Sequence, residues 1–329
     1  MSALETLKPW FILPVHSAMN DSASLPKPVY TFDDLFNWEE AAGTLNPPAR
    51  LAVLGDPVAH SRSPQMHNPA LAACGIEAQY IRLHVRPGQI PETLAQLRTL
   101  GFFGCNVTIP HKYEVLQSVD EPDPIAVRMG AVNTVVFDPD KTRGYNSDGP
   151  GLLRAVRECF EVEVADQRVL ILGAGGGAGR AVAVQCAVTG CRHLVLVNRT
   201  EEKVRALAQE LAPDTVIKGN AAPEVCLWEE DALRAVLPEM DLIINATSLG
   251  MKAGDAELIP PDALHAGHLV YDMVYSGPGS TSRLLQAAAA AGAKGANGLP
   301  MLLHQGAISF ERWFRREAPL EAMRKGLLN

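Results

Sequence analysis

Lys112 stands at the end of Asn106-Val107-Thr108-Ile109-Pro110-His111-Lys112, directly after an apolar run that begins at Phe102. The run Phe102–Ile109 predicts a buried strand, and Pro110 ends it because proline cannot donate to a sheet ladder. In open α/β sheets, ligands bind at the carboxyl ends of the strands. An ammonium in that place can hand a proton to an oxygen that is gaining negative charge. A second constellation is Gly173-Ala174-Gly175-Gly176-Gly177-Ala178-Gly179, set between a strand at Arg168–Leu172 and a helix of small residues. Glycines between a strand and a helix let the backbone turn tightly and approach a pyrophosphate, which the helix amino terminus then binds. Gly173, Gly175 and Ala178 fit the spacing G-x-G-x-x-A, while Gly175, Gly177 and Gly179 offer a shifted register.

The next strand, His193–Val197, bears on the choice of dinucleotide. NAD-binding units usually place an acid at its end, to hold the ribose hydroxyls. Here the strand runs into Asn198-Arg199-Thr200, with Lys203 one turn further on. An acid would repel a 2′-phosphate, whereas an arginine grips one with two hydrogen bonds. The sequence favours NADP.

The elements that must position these residues alternate. Strands are expected at Leu51–Leu54, Gln79–Val85 and Phe102–Ile109. Helices are expected at Pro64–Cys74 and Ile90–Leu100, stopped by Gly75 and Gly101, and then after His111 and around Ile125–Met129. Asn133–Phe137 and a strand ending near Tyr145 flank Asp138-Pro139-Asp140-Lys141 as a hairpin. After a helix near Ser147–Cys159, a second alternation starts at Arg168. It has strands at Val169–Leu172, His193–Val197, Asp241–Asn245 and Leu269–Met273, and helices at Gly177–Thr189, Glu201–Leu211 and Thr281–Ala291. Helical patterns at Met301–Arg316 and Leu320–Leu327 close the chain. The fold class is α/β, with two α/β domains and mainly parallel sheets. Residues 1–49 read as an extension, partly disordered, with an amphipathic piece around Phe32–Trp38.

The chain has 329 residues, about two domains' worth. A net charge of −8 argues against a sequence-independent nucleic-acid binder. The six cysteines form no C-x-x-C pair and no zinc-ligand spacing with histidines, so reduced cysteines, no metal and a cytoplasmic location are expected. The apolar run Trp10–Val15 is too short for a secretory signal, and no stretch is long enough to span a bilayer.

Several motifs occur in one order: Gly55-Asp56-Pro57-Val58-Ala59-His60-Ser61-Arg62-Ser63-Pro64, Asn106–Lys112, Gly130-Ala131-Val132-Asn133-Thr134 and Asn146-Ser147-Asp148-Gly149. They continue with Asn198-Arg199-Thr200, Ile244-Asn245-Ala246-Thr247-Ser248, Tyr271-Asp272-Met273-Val274-Tyr275 and Gly298-Leu299-Pro300-Met301-Leu302-Leu303-His304-Gln305. Over residues 51–316 the chain resembles the shikimate dehydrogenase family. That resemblance implies reversible, NADPH-dependent reduction of 3-dehydroshikimate to shikimate, by a monomer or homodimer acting on a small molecule. It implies a discontinuous substrate domain, residues 50–148 plus 298–329, and a Rossmann-type NADP-binding domain, residues 149–297.

By resemblance, Lys112 and Asp148 form the catalytic pair. A cleft would desolvate the ammonium and favour its neutral form, while the aspartate favours the cation and fixes its direction. Read without the resemblance, Asp148 is equally a helix cap, because Asn-Ser-Asp-Gly opens the helix that follows. The family's substrate contacts fall on Ser61, Ser63, Thr108, Asn133, Tyr275 and Gln305. Hydroxyls suit the substrate carboxylate, and the two amides suit ring hydroxyls. Its cofactor contacts fall on Gly173, Ala174, Gly175, Gly176, Gly177, Ala178, Asn198, Arg199, Thr200, Lys203, Thr247, Gly298 and Met301. The glycine loop is one residue longer than the common family form, and the extension is absent from the usual enzyme of this family. Two alternatives stay open: a quinate/shikimate dehydrogenase using NAD or an amino-substituted analogue, and a non-catalytic ligand sensor on the same domains.

Overall fold

The computed structural model describes residues 27–250, 254–275 and 281–328. The apolar run Trp10–Val15 and the first half of the extension lie outside the described residues. Two compact units emerge. One comprises residues 27–147 together with Gln305–Asn329, and the other Asp148–His304.

The first unit is built around the strand Ala49–Gly55, buried at every residue but Arg50. Its strands are β1 (Tyr30–Thr31), β2 (Ala49–Gly55), β3 (Gln79–His84), β4 (Gly104–Val107), β5 (Glu121–Pro122), β6 (Thr134–Phe137) and β7 (Thr142–Tyr145). They form one seven-stranded sheet in the order β1-β3-β2-β4-β6-β7-β5. Pairing is parallel except at β4–β6 and β6–β7, where the expected hairpin forms. Helices end where expected, with Gly75 and Gly101 taking positive φ. The carboxyl-terminal chain packs into this unit: the helix Leu320–Leu328 lies against the helix Ser63–Ala73, and Trp313 donates from Nε1 to the Val135 carbonyl at 2.9 Å.

Two expectations need correction here. Residues 27–49 are part of the first unit, not an appendage. β1 pairs with Leu83–His84 of β3, Leu35 is buried, and Trp38 packs edge-on against Phe102 at 5.6 Å. The aromatic residues supply apolar area that outweighs the loop-like composition around them. The strand expected over Phe102–Ile109 is shorter: Gly104–Val107 pairs with β2, and Gly104–Asn106 of it also with β6.

The second unit carries strands β8 (Arg168–Leu172), β9 (His193–Val197), β10 (Glu224–Cys226), β11 (Leu242–Asn245), β12 (Leu269–Asp272) and β13 (Lys294–Ala296). All pairs are parallel, in the order β10-β9-β8-β11-β12-β13. That is the doubly wound order of a dinucleotide-binding sheet. The helix Glu201–Ile217 runs beyond its expected end and through Pro213; its apolar face continues to the buried Thr215, whose hydroxyl bonds the Ala212 carbonyl. No described helix is long and apolar enough to cross a membrane.

Candidate active site

Register brings the first unit's candidate residues together. Leu54 of β2 lies level with Val107 of β4, and the Thr108 amide bonds the Leu54 carbonyl at 2.9 Å. The chain then turns, with the His111 amide on the Thr108 carbonyl, and Lys112 opens the helix Lys112–Ser118. The Lys112 carbonyl accepts from the Val132 amide at 3.0 Å, the Val107 amide donates to the Asn133 carbonyl, and the Asn133 amide to the Tyr145 carbonyl. Thr108, Lys112 and Asn133 therefore sit on segments laced together by backbone bonds. Ser147 donates from its amide to Asn133 Oδ1 at 2.8 Å, and the next residue, Asp148, is buried and opens the helix Asp148–Phe160. Lys112 and Thr108 are half-buried.

Ser61 and Ser63 also meet. Ser61 Oγ donates to Ser63 Oγ at 3.2 Å, just as the helix Ser63–Ala73 begins. Gln305, half-buried, lies in the helix Leu299–Phe314, and its carbonyl accepts from Ser309. Tyr275, also half-buried, belongs to the second unit, just beyond β12.

Hydrogen-bonded to these segments is a set of buried and half-buried polar groups, of which Tyr80 and Ser309 were not singled out from the sequence. Tyr80 donates from its hydroxyl to Asn106 Oδ1 at 2.8 Å. Asn106 Nδ2 faces Ser309 Oγ at 2.8 Å, the Asn133 carbonyl at 3.1 Å and Thr134 Oγ1 at 3.2 Å. Burial pushes the Tyr80 phenol well above its usual value, so it stays a donor. His67 stacks on Tyr80 with ring centroids 4.5 Å apart, and burial pushes its imidazole down to about 3. Asn106 was visible as part of a motif. Ser309 had one signal, a hydroxyl inside an apolar helix run, which when buried requires a partner.

In the second unit, Leu172 pairs with Val197 on one side and Asn245 on the other. The carboxyl ends of β8, β9 and β11 are thus level, which places the glycine loop, Asn198 and Thr247 at one edge. Gly173 has φ +83°, and a Cβ there would lie 2.5 Å from the Thr247 methyl. Gly175 donates to Asn198 Oδ1 at 3.3 Å. The third close-packing position is Gly179: a Cβ there would meet the Gly173 carbonyl oxygen at 2.1 Å, whereas one on Gly177 would meet open space. The register combines the two the sequence allowed, and the extra residue lies between Gly175 and Gly179. Gly176 precedes the helix Gly177–Thr189, whose first turn carries the N–H groups an anion needs.

Thr247 donates to Asn245 Oδ1 at 2.7 Å, and Asn245 Nδ2 donates to Asp272 Oδ1 at 2.8 Å. Asp272 also accepts from the Val274 amide and from the Ser282 hydroxyl. Burial pushes its carboxyl above the ordinary value despite these bonds. Gly298 follows β13 with its amide on the Val274 carbonyl, and Met301 is buried with its amide on the Tyr271 hydroxyl. Arg199, Thr200 and Lys203 are exposed at the start of the helix Glu201–Ile217. Among the described residues, neither Arg199 nor Lys203 makes an ion pair or side-chain hydrogen bond. Two unpaired cations beside a glycine loop, with no acid at the strand end, fit a 2′-phosphorylated dinucleotide.

Models of three families match the chain: a shikimate dehydrogenase substrate binding domain over residues 53–135, a shikimate/quinate 5-dehydrogenase domain over 154–252, and a shikimate 5′-dehydrogenase C-terminal domain over 298–328. The chain is 45% identical over 274 residues to the shikimate dehydrogenase (NADP(+)) of Moorella thermoacetica, covering 83% of this chain and 90% of that one. The chain belongs to the shikimate dehydrogenase family. Solved structures agree. A shikimate dehydrogenase in complex with NADP+ superposes with a TM-score of 0.76 at 36% identity, covering 84% of this chain and 94% of that one. The Thermus thermophilus enzyme, solved with NADP(H) and shikimate, gives 0.74 at 34%, covering 85% and 98%. The two-unit α/β architecture with its dinucleotide-binding sheet is that of the shikimate dehydrogenase family.

Proposed function

We propose that the chain is an NADP-dependent shikimate dehydrogenase, interconverting 3-dehydroshikimate and shikimate. The observation that supports this reading is that Thr108, Lys112 and Asn133 stand on segments joined by backbone hydrogen bonds beyond the end of β4, while Ser61 and Ser63 hydrogen-bond each other in the segment that follows β2. A second support is the glycine loop of the other unit, where Arg199 and Lys203 are exposed and make no ion pair or side-chain hydrogen bond among the described residues. Residues 50–148 and 298–329 form the substrate domain, together with the packed residues 27–49. Residues 149–297 form the NADP-binding domain. The working unit is a monomer or homodimer in the cytoplasm, a location supported by six cysteines without a disulfide, four of them buried.

Bound NADPH supplies a hydride to the ketone carbon of the substrate. Lys112 supplies the proton that the ketone oxygen then needs, and takes it back in the oxidation direction. Its positive charge also stabilises the oxygen while charge develops there. Asp148, buried at its helix start, aims the ammonium and accepts from a ring hydroxyl. Ser61, Ser63, Thr108 and Tyr275 donate hydroxyls, the serines to the carboxylate, without adding a cation that would compete with Lys112. Asn133 and Gln305 hold ring hydroxyls. Gly173, Ala174, Gly175, Gly176, Gly177 and Ala178 shape the pyrophosphate cradle, with Asn198 fixing Gly175. Arg199, Thr200 and Lys203 hold the 2′-phosphate; Thr247, Gly298 and Met301 complete the cofactor contacts.

Steady-state kinetics with shikimate and quinate, each with NADP+ and NAD+, tests the reading. The shikimate–NADP+ pair should have the highest kcat/KM. A preference for NAD+ would reverse the cofactor assignment, and a preference for quinate the substrate assignment.

A further inference from the structure

An irregular segment, residues 56–62, joins β2 to the helix Ser63–Ala73, and Ser61 lies in it. Backbone polar groups in such a segment have no ladder to join, so they find partners elsewhere. The start is tied down: the Asp56 amide donates to the Ile109 carbonyl at 3.1 Å, and Asp56 Oδ1 lies 2.9 Å from His84 Nε2. The middle closes as a turn, with the Ser61 amide on the Val58 carbonyl at 3.0 Å. The Ser61 carbonyl accepts from Arg82 Nε at 2.9 Å, and Nη2 of the same guanidinium donates to Gln65 Oε1 at 2.9 Å. Alternation along β3 explains why Arg82 stands there. Ile81 and Leu83 face the core, so Arg82 and His84 share the opposite face, each half-buried. Arg82 is level with Val53 of β2, and His84 with Gly55. The segment that leaves β2 at Gly55 is therefore within reach of both side chains.

We propose that Arg82 is a positioning residue that fixes Ser61, and through it Ser63, for the substrate carboxylate. The proposal rests on the shikimate reading and deepens it. Ser61 Oγ lies 3.2 Å from Ser63 Oγ and accepts from the Ser63 amide at 3.4 Å, so a shift of the Ser61 backbone moves both hydroxyls. A guanidinium suits the task because its donors lie in one rigid fork. Nε holds the carbonyl of the segment, and Nη2 holds the first turn of the helix that follows. The bond to the carbonyl is charge-assisted, and so stronger than a neutral one. Arg82 acts through Ser61 and not on the reacting atoms. Its loss should raise the shikimate KM and spare kcat.

The first test is Arg82→Met, which keeps an apolar stem and removes every donor. Shikimate KM should rise about fivefold to twentyfold, the scale of one lost charge-assisted hydrogen bond. Both kcat and the NADP+ KM should stay within about twofold, since the second unit is untouched. Arg82→Gln puts an amide nitrogen where Nε stood, without the charge. It should bring the shikimate KM back to within about threefold of wild type, because the bond to the Ser61 carbonyl is restored. In a Ser61→Ala background, Arg82→Met should change the shikimate KM by less than about twofold, because the hydroxyl that links the segment to Ser63 has gone. An unchanged shikimate KM in Arg82→Met, an equal rise in both KM values, or full additivity with Ser61→Ala overturns the proposal. So does Arg82→Gln performing as poorly as Arg82→Met, which would mean that the charge itself draws the carboxylate. If Arg82→Met fails to fold, Arg82→Lys takes its place, with the charge kept and a carbon where Nε stood: a rise specific to shikimate that Arg82→Gln does not share supports the proposal, and no rise overturns it. Failure of the shikimate reading shows separately, as wild-type protein that does not oxidise shikimate.

Discussion

The two units bury polar groups of opposite electrical character. Under the first sheet the groups are uncharged: Tyr80, Asn106, Thr134 and Ser309 pass hydrogen bonds along, and the His67 imidazole is kept neutral. At the edge of the second sheet the organising group is a carboxyl, Asp272, with donors from Asn245, Val274 and Ser282 gathered around it. A neutral chain can orient ligand-facing amides and hydroxyls while placing no charge near an ammonium such as Lys112. A carboxyl gathers several backbone and side-chain donors at one point, which suits holding the segments on either side of β12.

The largest expected difference between the units is chemical. Lys112→Ala should lower kcat by about a thousandfold, within the range for loss of a general acid, with shikimate binding measured by calorimetry largely retained. Arg199→Ala, in the second unit, should instead leave kcat near wild type and raise the NADP+ KM. A Lys112→Ala variant turning over at the wild-type rate would remove the distinction.

Backbone packing gives the next effect. Gly179→Ala forces a methyl against the Gly173 carbonyl and should cost about 1–3 kcal/mol, the usual scale of overpacking. Gly177→Ala, facing open space, should leave the urea midpoint near wild type. If the two variants were equally stable, the register assigned to the glycine loop would be wrong.

The smaller effects follow from pH. His67 has a folded value pushed down to about 3, so the unfolded chain binds the proton more readily as pH falls below about 6.5. Stability contributed by keeping this imidazole neutral is present above that value and lost toward the folded one, by about 1.4 kcal/mol at pH 5.5. His67→Phe should lack this slope in urea titrations between pH 7 and 5. Asp272 runs the other way. Its folded value is raised from 3.8, so the folded chain takes up the proton first, and stability falls as pH rises from the ordinary carboxylate value through the raised one. Asp272→Asn should lose that opposite slope. Slopes of the same sign for both variants would erase the contrast between the units.

The second unit was the more legible of the two in sequence. Gly177–Thr189 and His193–Val197 fall where glycine punctuation and apolar runs put them. The edge strands Glu224–Cys226 and Lys294–Ala296 were missed. Three residues carry no usable period, and they are strands only because β9 and β12 offer them partners. In the first unit, residues 27–49 belong to a stretch read as a partly disordered extension, yet Tyr30 and Leu35 are buried there.

The sequence by itself determined the alternating α/β architecture, the glycine loop, the cationic Arg199 and Lys203, and a lysine at a strand's carboxyl end. These are local signals, written in residue type and spacing. Only the tertiary structure decided which glycine packs against the turn and where the register brings Asn198 and Thr247. It alone showed that Tyr80, Asn106 and Ser309, far apart in sequence, share one hydrogen-bonded chain. The reason is physical: the direction of a buried hydrogen bond depends on which donors and acceptors folding brings within 3 Å or so of one another, and no spacing along the chain encodes that.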